Sequence, residues 1–108
     1  MIRANFCIND LTMDVDGHAG STGAGEYDLV CCAASVIAQQ LIYCIEQWAE
    51  VHGGVIRKDL VMDKGKIHLH LVTHDWARSA MKRMLEYCRD GYQMLEDRYP
   101  QYIAMTEE

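Results

Sequence analysis

The stretch Ile2-Arg3-Ala4-Asn5-Phe6-Cys7-Ile8, followed by Asn9-Asp10 and then by Leu11-Thr12-Met13-Asp14-Val15-Asp16, decides the fold. Ile2, Ala4, Phe6 and Ile8 alternate with Arg3, Asn5 and Cys7. A period of two marks a half-buried strand, because successive side chains of an extended chain point to opposite faces. Asn9-Asp10 is a turn signal. Leu11, Met13 and Val15 then repeat the alternation against Thr12, Asp14 and Asp16. Two such runs joined by a short turn predict an antiparallel hairpin that ends near Gly17-His18. Its one apolar face needs a second layer to cover it.

The remaining segments supply that layer. Residues 19–27 form a glycine-rich loop with Gly20, Gly23 and Gly25, and without the lysine or the G-x-G-x-x-G spacing of a phosphate cradle. Asp28 is a good N-cap, since its carboxylate can accept a bond from an orphan amide of the first turn. Leu29, Val30, Ala33, Ala34, Ile37, Leu41, Cys44, Ile45 and Trp48 follow at helical spacing, and Gly53-Gly54 is the stop. Residues 55–62 predict a third strand, Asp63-Lys64-Gly65-Lys66 a hairpin turn, and residues 67–72 the returning strand. A second helix starts near residues 73–75 and carries Ala77, Ala80, Met81, Met84, Leu85, Cys88, Tyr92, Leu95 and Tyr99 inward, up to Pro100. Gly91 interrupts it, which calls for a close packing contact or a bend. Trp48 and Trp76 are expected to anchor helix–sheet packing. Residues 101–106 read as a short last strand. The expected fold is α+β, a two-layer sandwich in ββαββαβ order, with a mostly antiparallel sheet packed against two helices. Residues 1–108 read as one domain, with no repeat and no linker.

Composition narrows the function classes. A chain of 108 residues with half its residues apolar can bury a core without disulfides or a metal. Its five cysteines are odd in number and form no C-x-x-C pair, which argues against a disulfide framework and a zinc ribbon. Thiols in a reducing, cytoplasmic compartment are the expectation. No apolar run approaches the ~20 residues that span a bilayer, and no signal peptide opens the chain, so no membrane association is expected. The net charge of −6 repels a phosphate backbone and favours a basic peptide or protein.

One cysteine stands apart by position. Cys31 lies three residues after the expected cap, in a first helical turn whose unpaired amides favour a thiolate and can stabilise an oxyanion. His18 ends the preceding strand, and the loop can bring the two together. Imidazole would take the thiol proton, the thiolate would attack a carbonyl, and the histidine would then protonate the leaving amine. The same residues allow a plainer reading. Cysteine is often a small buried hydrophobe, and a histidine at a strand end is often a surface residue. The residues alone leave both readings open.

Gly17-His18-Ala19-Gly20, the loop, and Asp28-Leu29-Val30-Cys31-Cys32-Ala33-Ala34-Ser35 together closely resemble the ribosomal-processing cysteine protease family, often called Prp. That family shows G-H-A, a loop, and D-[IL]-V-C-A-A-x-S. The ending Tyr99-Pro100-Gln101-Tyr102-Ile103 is similar to the family's Y-P-x-Y-[IV]. The resemblance spans essentially the whole chain. It implies a cysteine endopeptidase that cleaves the N-terminal extension of a large-subunit ribosomal protein, with Cys31 and His18 as the catalytic pair and no cofactor or metal. It implies supporting roles for Asp28 and Ser35; Asp28 either orients His18 or only caps the helix. It further implies a homodimer, and a loop with Gly20, Gly23 and Gly25 that rearranges over peptide. Cys32 departs from the family's alanine. Adjacent helical residues point about 100° apart, so Cys32 is expected to face inward as a bystander, and Cys31 to alkylate faster.

Two other function classes compete. His68 and His70 share one strand face, with His74 nearby, and such an i, i+2 pair can share a metal. The alternation of Ile67, Leu69 and Leu71 puts the same histidines on the solvent face without any metal. A non-catalytic ribosome-associated adaptor is the other alternative, although it would need neither His18 nor Cys31.

Overall fold

The computed structural model describes residues 1–17, 25–63 and 65–108, and of residues 25–28 the backbone only. The first hairpin forms as expected. Strand β1, Ile2–Cys7, pairs antiparallel with β2, Thr12–Asp16, with Ala4 opposite Val15 and Phe6 opposite Met13. The buried residues are the alternating set Ile2, Ala4, Phe6, Met13 and Val15. The connection differs from the expected one. Ile8–Asp10 form a 3-10 turn, and Leu11 reverses the chain at φ 54°. A left-handed backbone costs a residue with a Cβ roughly 1–2 kcal/mol. Leu11 is 1% exposed, and full burial of a leucine returns about 1.5–3 kcal/mol. Core burial therefore holds the turn without a glycine.

Helix α1, Gly25–His52, is followed by the hairpin of β3, Val55–Asp63, and β4, Lys66–Thr73. Helix α2, Asp75–Arg98, and strand β5, Ile103–Glu107, complete the chain. The sheet order is β3-β4-β2-β1-β5, antiparallel throughout except that β5 runs parallel to β1. The fold is α+β, with two helices on a mostly antiparallel sheet. Val30, Ala34, Ala38, Leu41 and Ile45 of α1 share one core with Met81, Leu85, Tyr92 and Leu95 of α2 and with the inward residues of the strands.

Several sequence expectations need correction. Helix α1 begins three residues before Asp28, so the Asp28 backbone lies inside the first turn and does not precede it; the Asp28 side chain is outside the described residues. Leu29 is 63% exposed and Cys44 is also exposed. The apolar pattern of α1 is wider than the face that the sheet and α2 can cover. By length and composition, residues Leu29–His52 are apolar enough to cross a membrane, although polar residues such as Gln39, Gln40, Glu46 and Gln47 break the apolar run. One stripe of that helix is the core of this fold. Trp48 packs at the core's edge, but Trp76 is 61% exposed and lies over Trp48, ring centroids 6.1 Å apart. Gly91 reflects a close contact: a Cβ there would stand 3.2 Å from Ile37 Cγ2 of α1.

Candidate active site

Cys31 is the seventh residue of α1, so it sits in the second turn. The rise of the helix puts it about 9 Å from the first residue, and the field of a helix end fades within the first turn. The first four amides, which lack intrahelical acceptors, belong to residues 25–28. The expected activation of Cys31 by first-turn amides therefore does not hold, and neither does an oxyanion site built from them next to the thiol. Position on α1 fixes where Cys31 points and does not by itself activate the thiol.

A cavity of about 460 Å³ opens beside Cys31. Its apolar wall is Ile2 of β1, Val15 of β2, Ile67 of β4, Ala34 of α1 and Tyr92 of α2. The tip of the β3–β4 hairpin supplies the rim, with Met62, Asp63, Gly65 and Lys66. Cys31, Cys32 and Ser35 project from α1 along the same opening. Alternation on the strands and the 3.6 period of the helix, which fold the core, thus also leave a cavity at one end of the layer interface among the described residues. Cys31 is half-buried against the core and Cys32 is exposed. Cys32 does not face inward as expected; it borders the same cavity. None of the five cysteines is in a disulfide. Ser35 is half-buried and accepts a hydrogen bond from Gln39 Nε2 at 3.0 Å.

Gly17 closes the first hairpin at the cavity mouth. Its φ is 107°, and a Cβ there would stand 2.4 Å from the Met1 carbonyl oxygen and 2.9 Å from Ile2 Cα. Its N–H donates to the Gly65 carbonyl at 3.0 Å. Only glycine fits this conformation and this approach, so the G of the G-H-A motif has a structural cause. His18, Gly20 and Gly23 lie outside the described residues. Gly25 is the first residue of α1.

The remaining titratable groups sit elsewhere. Burial pushes the Cys88 thiol up to about 12, and its Sγ donates to Met13 Sδ at 3.8 Å. Cys7 is raised chiefly by its side-chain hydrogen bond to Asp10. His68 Nδ1 pairs with Asp14 across the strand pair, and His70 Nδ1 lies 3.7 Å from Asp59. Both histidines occupy the sheet face opposite buried Leu69 and Leu71. Among the described residues no group of three or more His, Cys, Asp or Glu side chains is placed to hold a metal.

Sequence reading missed two contributors to the cavity. Tyr92 belongs to an ordinary core stripe, and no spacing signals that its ring reaches the cavity. The β3–β4 tip was read only as a turn. Both arrive beside Cys31 through tertiary packing, which local periodicity does not record.

The fold recurs in solved structures. The structure of an essential ribosomal processing protease Prp from S. aureus, in complex with a covalently linked product peptide, aligns with a TM-score of 0.78 at 24% identity, covering 100% of both chains. The same S. aureus protease in complex with a substrate peptide aligns at 0.78 and 21% identity, again over 100% of both chains. SMU.848 from Streptococcus mutans aligns at 0.77 and 23% identity, over 99% of this chain and 93% of that one. No curated protein sequence matches the chain significantly. At the sequence level the family model described as cysteine protease Prp matches residues 1–104, and this chain belongs to the cysteine protease Prp family.

Proposed function

We propose that this cysteine protease removes the N-terminal extension of a large-subunit ribosomal protein, with Cys31 as nucleophile and His18 as its base. The observation that carries the reading is the 460 Å³ cavity bordered by Cys31 and Gly17, within a family match over residues 1–104. His18 follows Gly17 directly in the sequence, so it is covalently tethered to a residue that lines the cavity. That covalent tether favours His18 as the base. The S. aureus relatives hold a substrate peptide and a covalently linked product peptide, which favours a peptide as occupant.

The chemistry follows in two halves. His18 takes the Cys31 proton, and the thiolate adds to the scissile carbonyl. The tetrahedral intermediate collapses as the imidazolium protonates the leaving amine, which leaves a thioester on Cys31. Water, deprotonated by His18, then hydrolyses the thioester and restores the thiol. A net charge of −6 suits a basic ribosomal protein as substrate. The test is incubation with the same organism's N-terminally extended ribosomal protein. Wild type shortens it and Cys31→Ala does not; equal behaviour of the two refutes the assignment.

A homodimer in the cytoplasm completes the reading. Leu29, Val36, Tyr43 and Val51 are exposed at spacings of seven and eight residues, which puts them on one side of α1. Such a stripe favours burial against a second copy. Light scattering should give twice the chain mass for wild type and a monomer for Tyr43→Glu. Thiols without disulfides suit a reducing compartment, which cell fractionation tests.

A further inference from the structure

We propose that Tyr92 is a positioning residue of this protease: its hydroxyl holds the turn of α1 that carries Cys31 at the angle needed for attack. The inference rests on the reading of Cys31 as nucleophile. Tyr92 is fully buried on α2, and its Oη donates to the Ala34 carbonyl of α1 at 2.7 Å. Ala34 lies three residues after Cys31, almost one helical turn. The ring also forms part of the cavity wall beside Cys31. Its other side meets Phe6 of β1 edge-on, with centroids 5.7 Å apart at 66°. A continuous line of contact thus runs from the central sheet through Tyr92 to the turn that bears the thiol.

The hydroxyl's share in the fold is that of one ordinary hydrogen bond. The Ala34 carbonyl already has an acceptor role within α1, toward the amide four residues on. A phenylalanine would fill the same volume and keep the contact with Phe6. What the hydroxyl adds is direction: a hydrogen bond is angle-dependent where packing is not, so it fixes the rotation of α1 about its own axis. Next to it, the close approach of Gly91 to Ile37 fixes the separation of the two helices. Burial raises the Tyr92 pKa, so the group remains a donor across the working range of pH. A nucleophile must meet a carbonyl within narrow limits of distance and angle. The turn carrying Cys31 is therefore where a loose helix would be most costly.

The test compares Tyr92→Phe, Ile8→Val and Cys31→Ala on the N-terminally extended ribosomal protein, with rates corrected for the folded fraction by circular dichroism. Ile8→Val removes a methylene from the far end of the core and serves as a control for lost stability. Tyr92→Phe should lower kcat about tenfold with KM changed less than about twofold, the pattern of an interaction needed in the transition state. Iodoacetamide, which needs no directed approach, should label Cys31 at the wild-type rate in Tyr92→Phe. Ile8→Val should keep the wild-type kcat. A kcat for Tyr92→Phe within about twofold of wild type overturns the inference, and so does an equal fall of kcat in Ile8→Val. Should Cys31→Ala still cleave, the nucleophile reading falls and this inference with it. Should Cys31→Ala be inactive and Tyr92→Phe fully active, this inference alone falls.

Discussion

Replacing Gly91 by alanine sets two effects of known size against each other. Gly91 lies inside α2, and its φ is not among the positive ones. In isolation the alanine would stabilise the helix by about 1 kcal/mol, because glycine forfeits more backbone entropy on folding. The new Cβ, however, would stand 3.2 Å from Ile37 Cγ2 and 3.3 Å from Ile37 Cδ1. Cδ1 can swing aside. Cγ2 cannot, since a β-branched side chain in a helix is held to one χ1 rotamer in about 90% of cases. Relief requires α1 and α2 to separate by a few tenths of an ångström, and overpacking of this kind typically costs about 1–3 kcal/mol. The clash should win, leaving Gly91→Ala destabilised by about 1 kcal/mol. In an Ile37→Ala background both contacting carbons are gone, and the same substitution should stabilise by about 1 kcal/mol. The double-mutant cycle then shows a coupling of about 2 kcal/mol, well outside the ~0.5 kcal/mol seen for independent sites. Urea denaturation at one fixed protein concentration measures all four variants, since self-association would otherwise shift the midpoints. Stabilisation by Gly91→Ala in the wild-type background would show that the helices part freely and that the reasoning is wrong.

Three further outcomes are expected. Gly17→Ala puts a Cβ 2.4 Å from the Met1 carbonyl oxygen at a φ of 107°, and it should destabilise the chain by about 2–4 kcal/mol; a melting temperature within 2 °C or so of wild type contradicts that. Burial lifts Cys88 from 9.0 to about 12, so the unfolded chain releases this proton first as pH rises. The stability it contributes is fully present below pH 9.0 and is lost as pH climbs from there through about 12. The loss runs at up to about 1.4 kcal/mol per pH unit; chemical denaturation at pH 8 and pH 10 should show a smaller decline in Cys88→Ala than in wild type. His18→Ala should reduce cleavage by roughly 10²–10⁴-fold, the usual contribution of a general base, and full activity in that variant would remove His18 from the mechanism.

The fold was legible wherever one period ruled a whole element. Alternation over Ile2, Ala4 and Phe6 and over Ile67, Leu69 and Leu71 matches the core-facing sides of β1 and β4, with Ile67 half-buried. The stripe of Ala77, Met81, Leu85, Cys88, Tyr92 and Leu95 matches the buried face of α2. Reading failed where the controlling contact is distant in sequence. Leu11 takes a left-handed turn because its side chain is buried, and no turn residue announces that. Leu29 and Cys44 continue the apolar pattern of α1 but find nothing to cover them. Apolar character states what a residue could bury, and only the packed partner states whether it does. Trp76 shows the same limit, resting on Trp48 at the outer surface with most of its side chain exposed.

The candidate site was legible in a different way, through a motif whose physical rationale has changed. The first rationale placed Cys31 in the opening turn of a helix, where orphan amides lower a thiol's pKa. With α1 starting at Gly25, that support is a full turn away. Exposure now favours Cys32 over Cys31 as the thiol a small reagent meets first. The relative labelling of the two adjacent cysteines therefore sets activation against exposure. Were neither thiol activated, Cys32 would label faster because it is more open. Faster labelling of Cys31 near neutral pH, lost in His18→Ala, would require a proton acceptor at Cys31, since exposure favours Cys32 and helix and dipole are nearly common to both residues. What distinguishes Cys31 is its half-buried packing against the core, since both cysteines border the cavity. In the proposed mechanism the nucleophile is then singled out by its neighbours more than by its place on the helix.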